Sequence, residues 1–160
     1  MDGFRSFTFD PRHFSSPESL CADLHGKGFR VITILDPGIK LEPGYFVYDS
    51  GSRADAWLKR ADGAAYAGKV WPGTCVFPDF TNARARAWWS GLYTGFLTRG
   101  VDGIWNDMNE PALFDVSSKT MPLDNVHAAD SALGGPGPHA RYHNAYGMLM
   151  ARATWEGVAR

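Results

Sequence analysis

Two apolar runs, each ending on an aspartate, constrain this chain more than any other feature. The first, Arg30-Val31-Ile32-Thr33-Ile34-Leu35, is rich in β-branched residues and stops at Asp36-Pro37-Gly38. The second, Val101–Asn106, stops at Asp107-Met108-Asn109-Glu110-Pro111. Runs this apolar are the pattern of strands buried on both faces of a parallel sheet. Parallel neighbours need a crossover, and a helical segment lies between them. From about Asn82 to Thr98, Trp88, Leu92 and Phe96 recur at helical spacing, with Trp89, Tyr93 and Leu97 alongside. Thr81 reads as the N-cap and Gly100 as the stop. Strand, helix, strand is a βαβ unit, expected to be parallel with a right-handed crossover.

Other elements fall on either side. A helix is expected from about Pro17 to Lys27, with Ser16 as N-cap and Pro17 in the first helical position. Ser15 and Glu18 offer a capping box one residue earlier, Leu20, Cys21 and Leu24 form the apolar stripe, and Gly26 and Gly28 end it. One more strand has room at the chain start. Residues 37–80 are punctuated by glycine and proline and are far longer than an ordinary βα loop of about 2–6 residues. They read as an inserted subdomain of short strands and turns on the C-terminal side of the first strand. A second long loop covers residues 111–138, and a third helix runs from about Arg141 to Val158, with Met148, Ala151, Trp155 and Val158 on or near one face. The fold class is α/β.

Composition narrows function mainly by exclusion. At 160 residues and 44% hydrophobic content the chain is a globular unit of single-domain length. A net charge of -1 makes no electrostatic case for nucleic acid or an anionic membrane surface. No apolar run is long enough to span a bilayer, and the first residues lack the basic-then-apolar pattern of a signal peptide. Cys21 and Cys75 have no CxxC partner and read as unpaired buried thiols. His127, His139 and His143 lack HxH or HExxH spacing, so they read as satisfied loop or helix-start histidines rather than metal ligands. No cofactor and no metal is expected; the compartment is left open.

The chemistry concentrates at the strand ends, where α/β sheets and barrels place their sites. Alternate strand residues share a face, so Trp105 and Asp107 point the same way, as do Ile32, Ile34 and Asp36. An aromatic platform beside an acid suits a sugar. The bland alternatives are that Asp36 starts a turn before Pro37 and that Asp107 and Asn109 begin the next turn. Asp36, Asp107 and Glu110 as oxygen ligands of a magnesium ion are a further alternative.

Trp105, Asp107, Met108, Asn109 and Glu110 match the pattern Trp-x-Asp-Met-Asn-Glu. In this the chain resembles glycoside hydrolase family 31, the α-glucosidase family. The resemblance extends, in the family's order, through Asp2-Gly3-Phe4, Ile34-Leu35-Asp36-Pro37, Lys69-Val70-Trp71-Pro72, Phe77-Pro78-Asp79-Phe80 and His143-Asn144-Ala145-Tyr146-Gly147. It implies part of a (β/α)8 TIM barrel, from just after the second strand to just before the fifth. Residues 1–160 would then be an internal piece of one catalytic domain, with the insertion at about 37–80. It also implies that Asp107 is the nucleophile of a retaining hydrolase and that Glu110 supports its orientation and charge state. By residue type alone Glu110 could itself be the acid/base; the resemblance implies instead an aspartate near the end of a later strand that this chain lacks. Asp36 would hydrogen-bond a sugar hydroxyl, Ile34 would line the same subsite, Trp71 and Trp105 would form its walls, and Met108 would face the next sugar. Asp79 is expected to cap the second helix from just outside. The implied substrates are α-linked glucosides of the maltose or starch type, with α-xylosidase, α-glucan lyase and transglucosylation as sister activities. The alternative is a non-hydrolytic carbohydrate-binding or structural fragment. On either reading the partner is an oligosaccharide, and the rest of the barrel is needed to complete the site. Alone, the chain is expected to expose strand edges and apolar helix faces and to be aggregation-prone, oligomeric or loosely packed.

Overall fold

The computed structural model describes residues 1–159. In chain order the elements are α1 (Pro17–Gly26), β1 (Ile32–Leu35), β2 (Ile39–Lys40), α2 (Phe46–Arg53), β3 (Ala67–Val70), β4 (Gly73–Val76), α3 (Ala83–Leu97), β5 (Gly103–Asn106), β6 (Val126–His127), β7 (Gly137–Pro138) and α4 (His139–Val158). The two apolar runs are parallel neighbours, in register from Ile32 opposite Gly103 to Leu35 opposite Asn106. Two strands do not close a barrel. The chain start is a 3-10 turn over Asp2–Phe4 instead of a strand. It leads into Phe7, which enters the core.

One layer of the core lies between α3 and α4. Trp89 and Tyr93 on α3 are fully buried, and Phe7 meets both rings edge-on at 5.2 and 5.1 Å. Phe80 meets Trp89 and Tyr146 in the same way, each at 5.2 Å. Burying a large apolar side chain is worth about 1.5–3 kcal/mol, so this cluster dominates the stability of the unit. Ser90 Oγ donates to Ala153 O at 2.7 Å where the two helices meet. A second cluster, with Leu58, Tyr66, Val70, Cys75, Phe77 and Leu113, sits under the antiparallel sheet β2–β4–β3. Both cysteines are free and buried, and burial pushes the Cys75 thiol up to about 12.

Several expectations need correction. Asn82, not Thr81, caps α3: its side chain accepts the Arg84 N–H at 2.9 Å, and Asp130 accepts the Ala83 N–H at 3.0 Å. Asp79 is therefore not the outer cap; its carboxyl is occupied by Thr81, Ala128 and His127. At α1, Ser16 Oγ donates to Ser19 Oγ and caps no backbone group, so the expected N-cap does not form. Leu20 is exposed, because α1 lies beside the open edge of β1 and nothing covers that side. A groove of about 370 Å³ between them is lined by Phe14, Leu20, Ile32 and Ile34.

Residues 37–80 hold a helix, α2, besides strands and turns. Its sequence hides it behind Gly51 and two serines. Gly51 is required because the Trp57 and Trp88 rings lie where a side chain would be, Trp57 within 2.3 Å of a built Cβ. On α4 the expected apolar face is the outward one: Met148 is 64% and Trp155 68% exposed. The inward face uses His139, Tyr142, Tyr146 and Thr154, whose polar atoms are hydrogen-bonded. Hydropathy ranks these residues below methionine and tryptophan, and so it selects the wrong stripe. Among the described residues, no helix is long and apolar enough to cross a membrane.

Candidate active site

Because β1 and β5 are parallel, their C-terminal ends share one edge. Leu35 pairs with Asn106, so the next residues, Asp36 and Asp107, adjoin. The Asp107 N–H donates to Leu35 O at 3.2 Å and carries the ladder one residue past the strand. Asp36 Oδ1 is buried without a hydrogen-bond partner. Burial, and then the negative charge of Asp107, raises the Asp36 carboxyl to about 6. The two acids therefore feel each other, and the protein leaves accepting capacity unused beside them.

Strand alternation sorts the neighbouring side chains. Asn106 turns toward the helix layer, where its Oδ1 accepts the Thr154 hydroxyl at 3.1 Å. Trp105, one residue earlier, projects from the opposite face and is 56% exposed. Ile34, its register partner on β1, is exposed on the same face. The open face of the pair thus carries Ile34 and Trp105 just before the two aspartates.

Trp71 lies in the turn between β3 and β4. It is exposed, and its ring meets Phe114 edge-on at 4.8 Å. The Phe114 N–H donates to Lys69 O at 3.0 Å, and Lys69 pairs with Asp115 at 3.1 Å, which ties the segment after Glu110 to β3. Spacing offered no signal for Phe114. Met108 has φ +55°, a left-handed conformation sparsely used by residues other than glycine. It turns the chain sharply after Asp107, so that the Ala112 N–H reaches Met108 O at 3.1 Å. The Met108 side chain is half-buried against the second core cluster. Glu110 is exposed on the same turn.

Sequence reasoning missed one polar system and the connections of a second, whose histidines it read as satisfied. One is at the opposite end of the strand pair, around Asp102. The other is the histidine set: His127 and His139 are fully buried and hydrogen-bonded to each other. Among the described residues, no group of three or more His, Cys, Asp or Glu side chains is arranged to hold a metal ion.

Acids on one strand-end edge of a parallel α/β unit, with the exposed Trp105 beside them, fit the layout of barrel enzymes that work at their C-terminal face. The family match is specific: residues 1–160 match the Glycosyl hydrolases family 31 TIM-barrel domain, and the chain belongs to that family. It is similar to an alpha-glucosidase 2 of Bacillus thermoamyloliquefaciens, 44% identical over all of this chain and 20% of that protein. It is also similar to an alpha-glucosidase of Saccharolobus solfataricus, 36% identical over 98% of this chain and 25% of that one. Among solved structures, the ER glucosidase II heterodimeric complex superposes with a TM-score of 0.90 at 35% identity, covering 100% of this chain and 17% of the other. A family 31 alpha-glucosidase from Bacteroides thetaiotaomicron superposes at 0.79 with 46% identity, covering 99% and 24%. The chain thus spans about a fifth of the length of these relatives.

Proposed function

We propose that this chain is the nucleophile-bearing part of a retaining α-glucosidase-type hydrolase, acting on α-linked glucosides of the maltose or starch type. The observation that carries the reading is the adjacency of Asp36 and Asp107 on the open strand-end edge, beside the exposed Trp105. Asp107 attacks the anomeric carbon. The glycosidic bond breaks, the leaving oxygen takes a proton from an acid/base, and a glycosyl ester forms on Asp107. Water then cleaves that ester. Retaining enzymes hold the two carboxyls about 5–5.5 Å apart. The acid/base comes from the remainder of the barrel, so the isolated chain does not turn over glycosides with poor leaving groups.

The other residues take supporting roles. Glu110 assists the orientation and charge of Asp107. Asp36, with an unused buried oxygen, accepts a sugar hydroxyl. Ile34, Trp105 and Trp71 supply apolar walls for sugar C–H faces, and Met108 lies toward the next sugar. Residues 1–160 would occupy the barrel from just after its second strand to just before its fifth, with 37–80 as the insertion. The exposed apolar residues Ile32, Leu20, Met148 and Trp155 mark where the rest of that domain packs. Relatives support the substrate class: glucosidase II alpha subunit structures are described as bound to alpha3-Glc2 and to Glc1Man2.

Trapping tests the reading. The full-length protein, incubated with a 5-fluoro-α-glucosyl fluoride and digested, is expected to carry the sugar on the peptide containing Asp107. A label on another carboxylate removes Asp107 as nucleophile. Turnover by the isolated chain that Asp107→Asn abolishes refutes the need for the missing acid/base.

A further inference from the structure

A chain of imidazoles runs through the base of α4. Asp79 Oδ1 lies 2.8 Å from His127 Nδ1, His127 Nε2 lies 2.9 Å from His139 Nδ1, and His139 Nε2 lies 3.2 Å from His143 Nδ1. The His127 and His139 rings are stacked, 5.2 Å apart and 12° from parallel, and both are fully buried. Asp79 is buried too. Its Oδ1 accepts the Thr81 N–H at 3.2 Å and the Thr81 hydroxyl at 2.6 Å, and its Oδ2 accepts the Ala128 N–H at 2.6 Å.

Donor bookkeeping sets a direction. Ringed by donors, Asp79 accepts, so His127 presents its proton on Nδ1. A neutral imidazole has one donor and one acceptor. His127 Nε2 then accepts from His139 Nδ1–H, and His139 Nε2 accepts from His143 Nδ1–H. One carboxyl thereby selects the same tautomer in three rings. A proton added to His139 Nε2 would face the N–H of His143. Burial, then the neighbouring His127 and His143, lowers His139 to about 4, against the pull of Asp79. Besides Asp79, the titratable groups against the chain are Tyr142 and Tyr146 on α4, with rings 5.3 and 6.4 Å from that of His127.

The far end of this chain meets the catalytic segment. His143 Nδ1 also lies 3.5 Å from Thr120 Oγ1 in the loop after Glu110. One helical turn further on, Gly147 lies against Asn109: a Cβ built there would come within 2.8 Å of Asn109 O. The part of α4 pinned by the histidines is thus the part on which the Asp107–Glu110 turn rests.

We propose that Asp79, His127, His139 and His143 form a one-way tautomer ladder that positions the Asp107–Glu110 turn by locking α4 against it. All four are positioning residues. The ladder rests on geometry alone and does not depend on Asp107 being the nucleophile.

The test uses the full-length protein with 15N-labelled histidine, the rings being assigned through single variants. At pH 7 all three rings are expected to carry a proton on Nδ1, and His139 is expected to stay neutral at pH 5. An Nε2–H tautomer at His127 or His139, or a charged ring at His139, under these conditions overturns the ladder. The positioning half is read by hydrogen exchange at the Ala112 amide, which needs no substrate. His143→Phe keeps an aromatic ring at the half-buried end of the ladder but neither donates nor accepts. It is expected to speed that exchange about tenfold while the global melt holds. Unchanged exchange in the folded variant overturns the positioning role, and so does equal acceleration throughout α3, which would report general loosening. A protein that passes both tests but leaves α-glucosides intact refutes the proposed function and leaves the ladder standing.

Discussion

At the N-terminal end of the β1–β5 pair, Asp102 is saturated. Its Oδ2 accepts the Val31 N–H at 2.7 Å and meets His25 Nε2 at 2.7 Å, while Oδ1 accepts from Arg30 at 3.1 Å. At the C-terminal end of the same two strands, Asp36 keeps a buried oxygen with no partner and sits within the field of Asp107. The backbone N–H of Val31, then His25, holds the Asp102 carboxyl down to about 2, whereas burial raises Asp36 to about 6. One residue type on one pair of strands is used in opposite ways. A carboxylate whose acceptors are filled ties the sheet to α1. One whose acceptors are empty weakens the fold and is free for a ligand. Barrels divide labour between their two faces in this way.

The sharpest way to break this comparison is to remove charge at each end. Asp107→Asn in the full-length enzyme is expected to lower kcat by roughly 10^3-fold or more while leaving the melting temperature unchanged. A large loss of stability instead would place Asp107 with Asp102 as a structural acid. Asp102→Asn is expected to do the reverse, lowering the melting temperature by several degrees with kcat intact. Its pH dependence has a definite sign. The folded carboxyl titrates below its ordinary value of 3.8, so its stabilisation is complete above about pH 4 and is lost as pH falls through about 2. Acid melts of the wild type and Asp102→Asn should therefore converge in that window.

Asp36 sharpens the contrast, since it is expected to trade stability for function. Its folded value lies above its ordinary value of 3.8. The favourable contribution is therefore complete below about pH 4 and lost as pH rises through about 6. At pH 7 the buried charge costs stability, and Asp36→Asn should raise it by about 1 kcal/mol, an advantage that disappears near pH 4. The same variant should raise KM. A destabilised Asp36→Asn at pH 7 would mean that the oxygen is partnered in solution.

How much of this was legible depended on which physical signal a residue carries. The parallel pair, α3 and the strand-end acids were readable because β-branched runs and helical spacing mark the elements and where they stop. Burial of the strands on both faces was not borne out: of β1 and β5 only Leu35 is buried, and Ile32, Ile34 and Trp105 are exposed. The shared face of Ile32 and Ile34, both exposed, was readable from strand alternation, whereas the pairing of Ile34 with Trp105 needed the register between the strands. Asp102 was not, since nothing local in the sequence shows that His25 and Val31 come together beside it. The inward face of α4 was misread because its buried polar groups are satisfied by partners distant in sequence, Pro78 and Asn106 among them. Helix α2 escaped because Gly51 lowers helix propensity while answering a packing need set by Trp57 and Trp88.

Trp105 tests the open face with a smaller effect. Being more than half exposed, Trp105→Ala should change stability by no more than about 0.5 kcal/mol and raise KM severalfold. A stability loss of core size would show the ring to be covered in the complete domain by protein instead of sugar.

The smallest expected effect on catalysis comes from Asn106, which sits between Trp105 and Asp107 but faces the other way. Its Oδ1 accepts from Thr154, whose hydroxyl also meets Tyr93 at 3.0 Å and Trp89 at 3.3 Å. Asn106→Ala removes one bond from a group that retains two, so the cost should lie near the low end of the usual range, about 0.5–1 kcal/mol, with kcat and KM within about twofold. The value of the variant is that alternation makes the prediction opposite to that for either neighbour. A fall in kcat comparable with that of Asp107→Asn would mean that the strand end is not read by alternating faces. The division between a filled, structural acid and an open, reactive one would then have to be drawn elsewhere in the sheet.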